Sequence, residues 1–308
     1  MSELKYVFGP VPSRRLGRSL GISPIPKKTC NYSCVYCQLG RTNKMTNMRQ
    51  EFFPLEDILS EFDEYLKDED KFDVVSVVGE GEPTLYSRLG DLIKGLKERT
   101  SKPVAVITNS ALMYDPQVRK DLMEADIVLP SLDSCDEETW HKVDRPYGRL
   151  VYNDVFDGLI QFTKEYKGQI FMELMLMDGI NDDDLSLQKF HDIYKNLHYD
   201  KLYINTPVRP PAESYVSVSS PETIQKAVEL LGGISIDALA NGGFFSEIKD
   251  DYEAIISIIG RHPMNQFEIL GFLESRQADN TDKLMERLKN DPCVLLTEYK
   301  GYITYRLK

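Results

Sequence analysis

Three of the five cysteines fall within eight residues, in Cys30-Asn31-Tyr32-Ser33-Cys34-Val35-Tyr36-Cys37. This CxxxCxxC spacing puts three soft thiolate donors on one short loop, where they can share a single metal centre. Structural zinc normally takes four ligands, in pairs of the CxxC kind. No second cysteine pair follows, and His141, His191, His198 and His262 are all distant in sequence. Iron–sulfur clusters also usually take four cysteines, so a set of three leaves one iron open for a substrate or cofactor. A zinc-stabilised binding module remains the alternative on the residues alone. Five cysteines in 308 residues are too few for a disulfide scaffold, and their clustering suits metal ligation in a reducing compartment. Cys135 and Cys293 read as small core residues.

A second segment, Val78-Gly79-Glu80-Gly81-Glu82-Pro83-Thr84-Leu85, stands about forty residues further on, directly after a β-branched run. Glycine lets a backbone approach a ligand closely, and backbone carbonyls with a carboxylate attract an ammonium group. On its own the segment also reads as a tight strand-to-helix turn.

These residues need elements to hold them. Strand-like apolar runs lie at 74–78, 104–108, 127–129, 169–175 and 201–205. Amphipathic stretches separate or follow them at 55–67, 89–99, 116–124, 151–166, 185–197 and 221–231. Such alternation predicts βα units around a parallel sheet, whose doubly buried strands read as continuous apolar runs. Asp115-Pro116 and Ser220-Pro221 supply an N-cap followed by proline in the first turn. Almost every strand ends in polar or glycine-rich residues, including Asn109-Ser110, Ser131-Leu132-Asp133 and Asn205-Thr206. In α/β folds, sites assemble from loops at the carboxyl ends of strands. The first fifty residues, rich in Pro, Gly and Cys, read as a functional loop. After about residue 250, three helical segments and a hairpin turning at Lys300-Gly301 resemble a winged helix. The expected architecture is therefore α/β, a barrel or an open sheet with one composite site over 1–250 followed by a small winged-helix-like domain over 251–308.

Hydrophobic residues make up 42% and charged residues 28%, which excludes global disorder. No apolar run approaches the ~20 residues that span a bilayer, and no secretory leader is visible, so a cytoplasmic protein is expected. The net charge of −12 is unevenly spread. Residues 1–50 carry +8, residues 51–260 carry −21 and residues 261–308 carry +1. A basic start on an acidic body points to local binding of an anionic group rather than to general nucleic-acid binding. On the expected recognition helix, Asp282 and Glu286 interrupt Lys283, Arg287 and Lys289, so the charge does not support a DNA-reading face.

The cysteine motif, with Tyr36 before its last cysteine and Gly79-Glu80-Gly81-Glu82-Pro83 behind it, resembles the radical S-adenosylmethionine (SAM) enzymes. The resemblance covers residues 7 to about 215. It is closest to a group of Fe–S oxidoreductases standing beside the tRNA wyosine synthetases. Four segments are similar to that group: Phe8-Gly9-Pro10-Val11-Pro12-Ser13-Arg14-Arg15-Leu16-Gly17, Cys37-Gln38-Leu39-Gly40-Arg41-Thr42, Gly179-Ile180-Asn181-Asp182 and Thr206-Pro207-Val208-Arg209-Pro210-Pro211. Wyosine synthetases carry further cysteines for a second cluster, whereas no cysteine precedes Cys30 here.

The resemblance implies a partial (β/α)6-type TIM barrel over 1–250, in which Cys30, Cys34 and Cys37 bind a 4Fe–4S cluster. It implies that SAM sits against Tyr36, Gly79, Gly81, Glu82, Asn109, Ser131, Asp133 and Met175. A flavodoxin or ferredoxin would supply the electron that cleaves SAM to a 5′-deoxyadenosyl radical, which abstracts hydrogen from a substrate. Arg14, Arg15, Arg145 and Arg209 are candidates to bind an anionic substrate group. Glu173, on an expected inner strand face, needs a charged partner if buried. The rival from another class is a nucleic-acid-binding regulator that senses its state through an Fe–S cluster and reads through the winged helix.

Overall fold

The structure, a computed structural model, describes residues 5–66, 71–236, 243–246 and 248–308. The chain opens with an antiparallel hairpin, β1 (Val7–Ser13) and β2 (Gly17–Ile22), where the sequence suggested a loop. The prolines at 10 and 12 hid β1, because proline cannot donate to a ladder. The strand tolerates them by lying at the sheet edge, with a register shift between Phe8 and Val11.

A two-stranded parallel ribbon follows, β3 (Thr29–Cys30) with β4 (Lys44–Met45). Then come α1 (Leu55–Tyr65), β5 (Val74–Val77), α2 (Leu89–Lys97), β6 (Val104–Thr108), α3 (Pro116–Leu122) and β7 (Ile127–Pro130). The unit continues with α4 (Glu137–Val143), α5 (Tyr152–Glu165), β8 (Gln169–Met175), α6 (Asp184–Tyr194), β9 (Lys201–Asn205), α7 (Pro221–Leu231) and β10 (Ile234–Ser235). The five expected strands and six helices are present within a few residues; Lys67, at the end of the first expected helix, lies outside the described residues. Asp115 and Ser220 cap as anticipated, accepting from the N–H groups of Gln117 and Thr223.

The main sheet runs β1-β2-β5-β6-β7-β8-β9-β10, parallel throughout except for β1. Strand periodicity of two sorts the side chains. Val75, Val77, Val104, Val106, Val128, Met172, Leu202 and Ile204 pack under the helices. Their neighbours Val74, Ala105, Ile127, Leu129, Phe171 and Tyr203 form a smaller cluster on the opposite, inner face. The same alternation carries Glu173 and Met175 onto that inner face, nearer the carboxyl end, where apolar filling gives way to a cavity.

Beyond residue 250 stand α8 (Asp251–Arg261), β11 (Met264–Asn265), α9 (Gln266–Ser275), α10 (Thr281–Asn290), β12 (Val294–Tyr299) and β13 (Tyr302–Leu307). The strands form a separate antiparallel sheet, β11-β13-β12. This C-terminal unit has its own core around Ile255, Ile258, Met264, Phe272, Leu273 and Tyr305, onto which Val11 of the edge strand packs. Asn265 and Glu268 form a reciprocal capping box on α9.

Polar ties join the two units. Arg209 makes a two-pronged ion pair with Glu268 (2.5 and 2.7 Å), Tyr299 donates to the Pro207 carbonyl (2.6 Å), and Arg261 donates to the Lys5 carbonyl (3.0 Å). The Arg209 and Glu268 side chains are only 12% and 20% exposed, so water screens the pair weakly. A double-mutant cycle of Arg209→Ala and Glu268→Ala, read by urea unfolding, is expected to give a coupling above about 1 kcal/mol. Additive effects would show that the pair does not hold the units together.

Candidate active site

A cavity of about 450 Å³ opens at the carboxyl ends of the parallel strands and is lined by Cys30, Cys34 and Cys37 together. The ribbon fixes Cys30. Its sulfur lies 3.4 Å from the Tyr32 N–H and 3.6 Å from Asn109 Nδ2, which also donates to Asn31 Oδ1 at 2.8 Å. The next turn is fastened to the segment after α4, with Ser33 N donating to the Asp144 carbonyl and Val35 N to the Val143 carbonyl, both at 2.9 Å. Cys34 Sγ lies 3.6 Å from Asp144 Oδ1. Burial pushes the thiols of all three cysteines up, and nearby carboxylates add to this for Cys30 (Glu82) and Cys34 (Asp144). A metal centre bound here would supply the positive charge that turns these thiols into thiolates.

Arg145 stands outside the cavity lining. It donates to the Ser33 carbonyl and to Glu213, each at 2.5 Å, while Arg41 grips both Glu213 oxygens at 2.8 Å. These two guanidiniums hold the Glu213 carboxyl down at about 2. Arg145 thus braces the cysteine loop, and the geometry does not bring it to the cavity as the sequence reading had placed it. Glu213 gave no signal in the sequence, because its partners lie 172 and 68 residues away.

The glycine-rich turn is stitched to the ribbon. Lys28 N donates to the Glu80 carbonyl (2.6 Å), and Glu82 N donates to the Thr29 carbonyl (3.2 Å). A Cβ on Gly81 would fall 1.8 Å from the Thr29 carbonyl oxygen, whereas one on Gly79 would meet the end of the Ile25 side chain at 2.6 Å. Glycine at 81 is required first by this backbone contact. Glu82 is buried, and its carboxylate accepts from Thr84 N, Thr84 Oγ1, Thr108 Oγ1 and Asn109 N at 2.6–2.9 Å. It therefore clamps the turn to the end of β6; four donors already occupy the oxygens that the sequence reading offered to a ligand.

Gly79, Gly81, Glu82, Tyr36, Asn109, Ser131 and Met175 all line the cavity. Asp133 does not. It accepts from Tyr36 Oη and from the Met175 N–H, so it acts behind them, and burial raises its carboxyl to about 6. Met177 is buried in a cluster with Val35 and Val143 rather than in the cavity wall.

Arg14, Arg15 and Arg209 line the far half of the cavity. Arg15 forms an ion pair with Glu173, which supplies the partner that a buried acid requires, and burial lowers the guanidinium to about 10. Phe244 closes this half together with Arg261, His262 and Glu268 of the C-terminal unit. His262 Nε2 lies 3.2 Å from Arg209 Nη2, and burial together with Arg209, Arg15 and Arg14 drives its imidazole down to about 3. It is a neutral hydrogen-bonding group at pH 7. Arg306 of β13 donates to the Gln38 carbonyl, next to Cys37, at 3.2 Å. Nothing in the local sequence around His262 or Arg306 marked either for this place.

The residues fit an iron–sulfur cluster. Among the described residues, no three His, Cys, Asp or Glu side chains converge on a site for one metal ion. The three sulfurs instead face one roomy cavity, with N–H groups of Tyr32 and Asn109 directed at Cys30.

The profile described as the Radical SAM superfamily matches residues 25–190. The chain belongs to the radical SAM superfamily of enzymes. A UPF0026 protein of Methanocaldococcus jannaschii is 37% identical across 98% of this chain and 96% of its own length. Among solved structures, that of TYW1 with a lysine–pyruvate adduct matches with TM-score 0.50 and 19% identity, over 70% of this chain and 72% of that one. A radical SAM methyltransferase from Sphaerobacter thermophilus matches with TM-score 0.52 and 15% identity, over 71% and 68%. At these identities the two structures share the fold.

Gly81→Ala is expected to cost roughly 2–4 kcal/mol in chemical unfolding, because its added carbon meets a backbone carbonyl that cannot turn aside. Gly79→Ala meets a side-chain end that can rotate and should cost less. The reverse order would contradict the stitched-turn account.

Proposed function

We propose that this protein is a radical SAM enzyme that cleaves SAM reductively at one 4Fe–4S cluster and passes the radical to a substrate bound in the far half of the cavity. The observation that carries the reading is the meeting of three buried thiols and the Gly79–Glu82 turn in one cavity at the strand ends. Cys30, Cys34 and Cys37 would hold the cluster and leave one iron free for SAM. When bound, the cluster supplies the electron that breaks the sulfonium C–S bond, giving methionine and a 5′-deoxyadenosyl radical.

The chain's own residues position and shield. The backbone of Gly79 and Gly81 would receive the SAM ammonium group, with Glu82 keeping the turn in shape. Asn109 and Ser131 would meet the ribose and carboxylate, and Met175 the adenine. Asp133 would act through Tyr36. Arg14, Arg15 and Arg209 would face the substrate. The C-terminal unit, with its helix–strand–helix–helix–hairpin order, would be a winged-helix-like module that closes the cavity. The regulator reading gains no support, since Arg287 of α10 lies over the Tyr252 ring, 3.4 Å from its centre. No helix among the described residues is long and apolar enough to cross a membrane, in keeping with a cytoplasmic enzyme.

Anaerobic reconstitution with iron and sulfide should yield brown protein with about four irons per chain. Dithionite and SAM should then give 5′-deoxyadenosine, and Cys34→Ala should give none while Cys135→Ala keeps its iron. Colourless protein with one zinc per chain, or iron without SAM cleavage, would overturn the proposal.

A further inference from the structure

The three cysteines stand in unequal fields. A carboxylate lies beside each of the first two, Glu82 near Cys30 and Asp144 near Cys34. At Cys37 the charged neighbours are cations. Gly40 N donates to the Cys37 carbonyl at 3.0 Å and closes the turn that follows this cysteine. Arg306, from β13 of the C-terminal unit, donates to the Gln38 carbonyl of that turn at 3.2 Å. Lys28, immediately before β3, lines the cavity together with Cys37, Gln38 and Gly40. A Cβ on Gly40 would be 3.4 Å from Lys28 Nζ and 3.6 Å from Arg306 Nη1, so both charges stand over the same turn.

Neither Lys28 nor Arg306 forms an ion pair among the described residues. Lys27 and Arg261 stand close by, and the nearby carboxylate, Glu80, already faces Arg261 at 3.5 Å. Burying positive charge without a partner is costly. Burial lowers the Arg306 guanidinium, and the charge that opposes this is Cys37. The effect is mutual: burial raises the Cys37 thiol, while the Leu39 N–H, Lys28, Arg306 and Arg145 pull it back. The cations therefore await negative charge at Cys37. Reduction of an iron–sulfur cluster adds one unit of negative charge to the cluster and its thiolates, and a cation held beside them favours the reduced form.

Resting on the radical SAM reading, we propose that Lys28 and Arg306 form a cationic clamp over Cys37 that raises the reduction potential of the cluster, so that the C-terminal unit takes part in electron uptake as well as in closing the cavity. Both are positioning residues that act through Cys37 and its turn. A low-potential one-electron donor is oxidised by one electron and the cluster is reduced by one. No bond is made or broken, and the two cations offset the charge gained.

The test is a redox titration of the full-length, cluster-loaded protein. Dithionite and mediator dyes set the potential, the paramagnetic signal of the reduced cluster is read at each point, and iron is measured in every sample. Arg306→Gln should keep its iron and shift the reduction equilibrium about tenfold toward the oxidised form, a fall of about 59 mV for a one-electron couple. Arg306→Lys keeps the charge and should recover most of that shift. Lys28→Gln should also lower the potential, and the double variant should lie below either. Lys28 is outside the C-terminal unit, so it reads the same field even where Arg306→Gln disturbs the terminal hairpin. Lys226→Gln, on α7, removes an equal charge and should leave the potential where it is. Wild-type potentials in both Arg306→Gln and Lys28→Gln would overturn the clamp. So would a shift in Arg306→Lys as large as in Arg306→Gln, which would assign the effect to the Gln38 contact. Loss of iron from both single variants would overturn it too, assigning the two cations to cluster assembly. Failure of the wild type to form 5′-deoxyadenosine with dithionite and SAM would instead strike the function reading itself.

Discussion

Everything at the cavity depends on one close approach, the Gly81 backbone against the Thr29 carbonyl. That contact seals the glycine-rich turn to the ribbon carrying Cys30, with the hydrogen bonds of Lys28 to Glu80 and Glu82 to Thr29 on either side of it. Glu82 completes the seal by gathering donors from its own turn and from the end of β6. The cysteine loop and the glycine-rich turn, about forty residues apart in sequence, are thereby held in fixed relation. Such preorganisation limits what must be reorganised when the site is loaded.

The sheet supplies the rest of the positioning. Because its strands are parallel, their carboxyl ends all open on the same side, and the period of two delivers Glu173 and Met175 to the interior. The buried acid is neutralised by Arg15 from the β1–β2 turn, so the edge hairpin contributes to the site as well as closing the sheet. The C-terminal unit has a separate core yet is not remote from the chemistry. Arg261, His262 and Glu268 wall the far half of the cavity, and Arg306 reaches the cysteine loop.

What could be read from the sequence was what short-range pattern encodes. Short apolar runs marked the inner strands, Asp115-Pro116 and Ser220-Pro221 marked helix starts, and CxxxCxxC with the glycine-rich turn marked the chemical end of the fold. What could not be read depends on distant partners. Pro10 and Pro12 disguised β1, since edge position is a property of the whole sheet. Arg145 looked like an anion ligand because its carboxylate, Glu213, comes 68 residues later. Glu82 looked available because the donors that occupy it come partly from β6. His262, Arg261 and Arg306 lie in a unit whose local pattern is ordinary, and only packing brings them to the cavity.

The central claim is that the three cysteines and the glycine-rich turn form one centre, at which a cluster and SAM meet. Electron paramagnetic resonance of the reduced, reconstituted protein tests this most directly. Spectra recorded before and after SAM is added should show a single 4Fe–4S signal whose g-values shift as SAM reaches the open iron. That shift should weaken in Gly81→Ala, where the turn is pushed off the ribbon. A cluster signal indifferent to SAM in the wild-type protein would contradict the account.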